Sequence, residues 1–121
     1  MPAEIIKSDR RFQIWNYTVG HLSLLLRSTK SADSGTRIDV LFKGVKAFHL
    51  PTSFTGLSIA EASEEDARKL CSLRQSLSFG KDVKVFKVQG IDFVGYVAAL
   101  IVFCHEDEGE YNDPGFFDPK L

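Results

Sequence analysis

The sequence predicts an α+β domain dominated by a mostly antiparallel, curved sheet of about seven strands that curls toward a barrel, with one main helix packed on it. Three observations carry that expectation. Residues 91–104, IDFVGYVAALIVFC, form the longest apolar run in the chain, with Asp92 as the only charge in it. Short stretches rich in β-branched and aromatic side chains recur before it, separated by Gly, Pro and Ser, which is how strands and turns alternate. A single segment, beginning at Ser63, carries the chemistry of a helix start.

At 121 residues the chain fits one domain, 1–121, large enough to bury a core without disulfides or a metal. Apolar residues make up 44% and ten are Phe, which excludes a disordered chain. A net charge of -1 weighs against a general polyanion binder, so nucleic acid is not an expected partner. Cys71 and Cys104 lack CxxC spacing and read as free thiols buried in a reducing compartment. The first residues, MPAEIIKSDRRF, have no apolar stretch after their charges, and YVAALIVFC is too short to cross a bilayer. The expected location is the cytoplasm, away from membranes.

Taken in order, residues 1–10 read as a loose lead-in. Residues 12–19 (FQIWNYTV) form a strand with Trp15, Tyr17 and Val19 on one face and Phe12 and Ile14 on the other, ended by Gly20. Residues 21–28 (HLSLLLRS) place Leu22, Leu24 and Leu26 on one side and His21, Ser23, Leu25 and Arg27 on the other, the pattern of a half-exposed strand. A small, polar loop follows over 29–36, then an alternating strand over 37–43 (RIDVLFK). Pairing these two strands antiparallel, with Leu24 opposite Phe42 and Leu26 opposite Val40, also sets Arg27 opposite Asp39 and Leu25 opposite Leu41. A slip of two residues would oppose Arg27 to Arg37, and like charges facing each other are unfavourable, so the first register is expected.

Gly44 suggests a tight hairpin into a short strand over 45–50 that Pro51 ends. Residues 52–56 are turn-like, and 57–62 give another strand with Leu57 and Ile59 inward. Ser63 supplies an N-cap hydroxyl, with Glu64, Glu65 and Asp66 at the positive dipole end of a helix expected to stop between Leu73 and Ser78. Its apolar stripe of Ala67, Leu70, Cys71 and Leu77 should lie on the sheet. Residues 82–88 alternate again, and a two-residue loop at Gln89 and Gly90 would pair Val88 with Ile91 and Phe86 with Phe93. The strand over 91–104 should be interior and should bend at Gly95 or at Ala98 and Ala99, being too long for a straight strand in a small domain. Residues 106–121 form an acidic tail, with Phe116 and Phe117 able to pin it to the body.

Two clusters could carry chemistry. Trp15, Tyr17, His21, Arg27 and Asp39 could line a pocket in which Arg27 and His21 take an anionic or carbonyl-bearing ligand between aromatic walls; otherwise the same residues are a wet sheet face with a cross-strand ion pair. His105 and Asp107 could sit on one side of a strand end as weak metal ligands; otherwise they open a solubilising acidic exit. No nucleophile elbow surrounds Ser23, and no GxGxxG, P-loop, EF-hand or HExxH spacing occurs. No cofactor is expected.

The W-x-Y-x-V-x-H-x-x-L-L-L-R-S run from Trp15 to Ser28, with the I-D-V-L-F-K-G-V segment from Ile38 to Val45, resembles small soluble bacterial domains of unknown function. The resemblance implies no activity and carries over no functional residue. The functional expectation is therefore a non-enzymatic binding or interaction module whose partner is itself or another protein, with self-association through an edge strand or an exposed aromatic patch. The competing expectation is a small-ligand binder or enzyme using the His21, Arg27, Asp39 and Tyr17 face.

Overall fold

The computed structural model describes residues 4–29, 35–70 and 82–108. Among the described residues, eight strands, a 3₁₀ turn and one short helix follow one another: β1 (Glu4–Thr18), the turn (Val19–His21), β2 (Ser23–Ser28), β3 (Arg37–Lys43), β4 (Ala47–His49), β5 (Ser53–Glu61), α1 (Glu64–Leu70), β6 (Lys84–Gln89), β7 (Val94–Ala99) and β8 (Ile101–Asp107). They form one sheet in the order β4-β7-β6-β5-β1-β2-β3-β8, with every ladder antiparallel. No helix among the described residues is long and apolar enough to cross a membrane.

Among the described residues the sheet is not closed, so the expected curl toward a barrel stops short of completion, with β4 and β8 at the two ends of the strand order. Both edges are nevertheless cut from bent pieces of chain whose other halves lie elsewhere in the sheet. β7 and β8 are separated by Leu100 alone, and β3 and β4 by residues 44–46. The two pieces run antiparallel along their whole length, Arg37 opposite Asp107 down to Lys43 opposite Ile101, then Ala47 opposite Ala98 down to His49 opposite Tyr96. One extra residue on the 44–46 side absorbs the bend, which is what a bulge does.

Gly44 makes the bend possible. Its φ of 69° is left-handed, and a Cβ there would collide with the Leu100 side chain. The hairpin expected at Gly44 is thus a kink within one ladder. The bend expected at Gly95 or at Ala98 and Ala99 falls one residue later, at Leu100, whose N–H donates to the Lys43 carbonyl at 3.0 Å. Gly95 serves another purpose: a Cβ on it would run into the His49 carbonyl oxygen, so the missing side chain lets β4 approach β7.

The core fills the concave side. Phe12, Leu24, Leu26, Val40, Phe42, Phe54, Ile59, Phe86, Val88 and Val97 are buried together, and Phe54 meets Phe12 and Phe93 while Phe42 meets Phe86. Each such side chain removed from water contributes about 1.5–3 kcal/mol. The β2–β3 register is the one the charges dictate, Leu24 opposite Phe42, Leu26 opposite Val40 and Arg27 opposite Asp39. Residues 4–10, expected to be loose, instead extend β1, because β5 offers them a ladder from Ala60 to Leu57 that local sequence cannot announce. β5 likewise begins at Ser53, inside the expected turn, and passes Gly56 at φ 81°.

The β6–β7 hairpin corrects the expected pairing by four residues: Phe86 lies opposite Val97 and Val88 opposite Gly95, with 90–93 as the connection. Gln is a poor first residue for a two-residue turn, and the longer loop lets Phe93 pack on Phe54 while Ile91 N–H donates to the Thr55 carbonyl. An even slip keeps each side chain on its face, so the apolar pattern is indifferent to it. For α1 the start is as expected, the Asp66 N–H donating to Ser63 Oγ at 3.1 Å. The helix end, Cys71, Leu77 and the tail beyond Glu108 lie outside the described residues.

Candidate functional site

The convex face of β1, β2, β3 and β8 carries a row of polar residues set directly across four strands: Gln13, Arg27, Asp39 and His105. Beside it lies an apolar row of Leu25, Leu41 and Phe103, and on the other side the pair Arg37 and Asp107. This convex face is not the wet side expected of residues 21–28. Arg27 and Asp39 are each 1% exposed, Arg37 is 2% exposed, and Leu25 and Leu41 are buried.

Arg27 and Asp39 form a two-armed ion pair, Nε to Oδ1 at 2.6 Å and Nη2 to Oδ2 at 3.0 Å. The Trp15 ring covers the guanidinium at 4.7 Å from its centroid. Next to it, Arg37 donates from Nε and Nη2 to the two Asp107 carboxylate oxygens at 3.2 and 3.3 Å, and His105 Nε2 stands 3.6 Å from Asp107 Oδ2. No buried side-chain nitrogen or oxygen among the described residues lacks a partner. Such a network fixes strand register, because a slip would leave a charge buried without its counter-charge.

The five residues expected to share a pocket separate. Trp15, Arg27 and Asp39 come together. Tyr17 does not join them, because the β1–β2 ladder shifts between Ile14 and Asn16: Tyr17 lands opposite Leu24, on the concave side, where its ring meets Phe48 at 5.7 Å. His21 is exposed in the 3₁₀ turn before β2, outside the strand that carries Arg27. Asp39 already takes two arms of Arg27, so an anionic ligand would have to displace a buried carboxylate. Among the described residues no group of three or more His, Cys, Asp or Glu is placed to hold a metal, and Arg37 beside Asp107 repels a cation from the His105 and Asp107 pair.

What sequence reasoning missed is the edge on which this row ends. β8 has β3 as its one ladder partner among the described residues, yet it carries Ile101 at 45% and Phe103 at 41% exposure, with Cys104 exposed between Phe103 and His105. Phe103, expected in the core, sits on the convex side opposite Leu41. Partial burial raises the Cys104 pKa, and the carboxylates of Glu106 and Asp39 push the same way, so the thiol stays protonated to higher pH than an ordinary cysteine. On the concave side Glu106 is tied in: Thr36 Oγ1 donates to Glu106 Oε2 and accepts from Arg10 Nη1 at 2.9 Å, linking β1 to the ends of β3 and β8. An open groove of about 390 Å³ elsewhere is lined by Lys7, Asp9, Ser58 and Gln89 and gathers no convergent set of catalytic groups.

No family model matches the chain, and neither a curated protein nor a solved structure matches it.

Proposed function

We propose that the protein is a non-enzymatic interaction module that self-associates by adding the strand of a second copy to β8. The observation that carries the reading is the combination, in β8, of a single ladder among the described residues with exposed apolar side chains at Ile101 and Phe103. Unpaired strand edges are templates for another strand, and proteins that do not use them blunt them with Lys, Pro or a bulge. β8 has none of these over Ile101–Asp107. The opposite edge, β4, is short and flanked by Lys46 and Pro51, as an edge kept out of use should be.

The ionic row supports the reading from behind. With Arg27 locked to Asp39 and Arg37 to Asp107, the strand next to the edge is held in one register, so β8 is presented as a rigid template. A cytoplasmic setting fits an exposed free thiol at Cys104, which an oxidising compartment would put at risk.

Sedimentation equilibrium tests it. The wild-type chain should approach twice its 13.5 kDa mass as concentration rises, and Phe103→Lys should hold it near one chain mass with its fold intact by circular dichroism. A wild-type chain that stays at one chain mass up to high concentration overturns the reading.

A further inference from the structure

Four large apolar side chains left in water gather around the kink at residues 43–46. Val19 is 73% exposed, Leu100 and Ile101 45% each and Leu22 37%. Backbone hydrogen bonds fix the gathering. The Val45 N–H donates to the Leu22 carbonyl at 2.9 Å, the Leu22 N–H to the Val19 carbonyl at 3.3 Å and the Leu100 N–H to the Lys43 carbonyl at 3.0 Å. Ile101 lies directly opposite Lys43.

Leu22 is the informative member. It is the one residue other than glycine with a positive φ among the described residues, at φ 51° and ψ 43°, where it closes the 3₁₀ turn. The two backbone bonds explain why position 22 is left-handed, but any residue other than proline can make them, and Gly or Asn adopts that conformation more readily than leucine. The turn alone therefore does not select a leucine with a third of its surface in water. A partner that gains from an apolar side chain at this place does.

Charge identifies the partner. Residues 17–23, 43–47 and 98–101, which build the patch, include no Asp or Glu, and Lys43 and Lys46 are exposed. The lysines in ion pairs among the described residues are Lys69, Lys84 and Lys87, so these two ammonium groups are left for an external anion. We infer that this patch seats the protein on an anionic lipid bilayer, with Val19, Leu22, Leu100 and Ile101 entering the headgroup region and Lys43 and Lys46 meeting the headgroup charges. Shallow apolar insertion and attraction to anionic lipid are each weak alone and reinforce one another. Such a contact needs no membrane-spanning segment. It goes beyond the self-association proposed above and shares only Ile101 with it, so variants at Ile101 have no place in its test.

Co-sedimentation with lipid vesicles is that test. The wild-type chain should bind phosphatidylcholine vesicles containing phosphatidylserine, bind vesicles of phosphatidylcholine alone about ten-fold more weakly, and release from the former as salt rises. Val19→Ser with Leu22→Asn should weaken binding by about ten-fold while the melting temperature holds or rises, because Asn suits the left-handed turn. Val19→Ser alone, at the most exposed of the four positions, should act in the same direction and keeps the test independent of the turn. Lys43→Gln with Lys46→Gln should also cost about ten-fold. No vesicle binding at low salt overturns the inference. So does binding that the lysine variants abolish and the apolar variants leave unchanged, which marks a polyanion contact only. If the apolar variants change the mass of the chain in solution and no vesicle binding occurs, a second copy covers the patch and the inference falls.

Discussion

β7 and β8 are consecutive halves of one apolar segment, joined through Leu100, and they meet opposite fates. In β7, Val97, Ala98 and Ala99 are fully buried, because β6 and β4 flank it and the core lies beneath. In β8, Ile101, Phe103 and Cys104 remain exposed, because β3 is its one flank among the described residues. Composition alone does not bury a residue; the number of neighbouring strands does. The segment therefore serves stability at one end and, in the reading proposed, association at the other.

The ionic row offers the sharpest way to break that contrast. Asp39→Ala strands the Arg27 charge at a buried position and should cost about 3–5 kcal/mol in denaturant unfolding, whereas His105→Ala, in the same row on the edge strand, should cost less than about 1 kcal/mol. Equal losses would mean that the edge is as integral to the fold as the middle.

A smaller effect separates the two halves directly. Val97→Ala removes packed methyl groups and should cost about 2 kcal/mol, while Ile101→Ala should change unfolding by about 0.5 kcal/mol or less and act on dimer mass instead. A comparable loss at both positions would contradict the division of labour between the strands.

The kink that divides the halves can be probed next. Gly44→Ala adds a Cβ at a left-handed φ and into Leu100, and should cost about 1–2 kcal/mol. Adding Leu100→Ala should recover the steric part and leave the conformational part. No recovery would place the strain elsewhere.

The subtlest test is kinetic. Because its pKa is raised, the Cys104 thiolate is scarcer at any given pH than that of an unperturbed cysteine, so alkylation in a Cys71→Ser background should be slow and should accelerate only at higher pH. It should slow further at concentrations that favour the dimer. A rate matching that of a free thiol peptide would remove the account of the Cys104 environment.

Several of these features were legible in the residues. The opposition of Arg27 and Asp39 follows from charge and alternation alone, as does the Ser63 cap, since each depends on neighbours a few residues away or on one adjacent strand. The depth of that ion pair was not legible, nor was the partnership of Arg37 with Asp107, because β3 and β8 are remote in sequence and meet only when the sheet curls. The β6–β7 slip shows the same limit: hydrophobic alternation fixes which face a residue occupies, and is blind to any even shift along the ladder. Tyr17 parted from Trp15 through an irregularity between Ile14 and Asn16 that no composition signal marks. The residues of the proposed interface, Ile101 and Phe103, read as core because an edge strand and a central strand can share one composition.

Amide hydrogen exchange followed against protein concentration compares β7 and β8 most directly. Exchange within Ile101–Asp107 should slow as concentration rises, while exchange within Val94–Ala99 stays constant. Exchange of β8 that is independent of concentration would contradict the account.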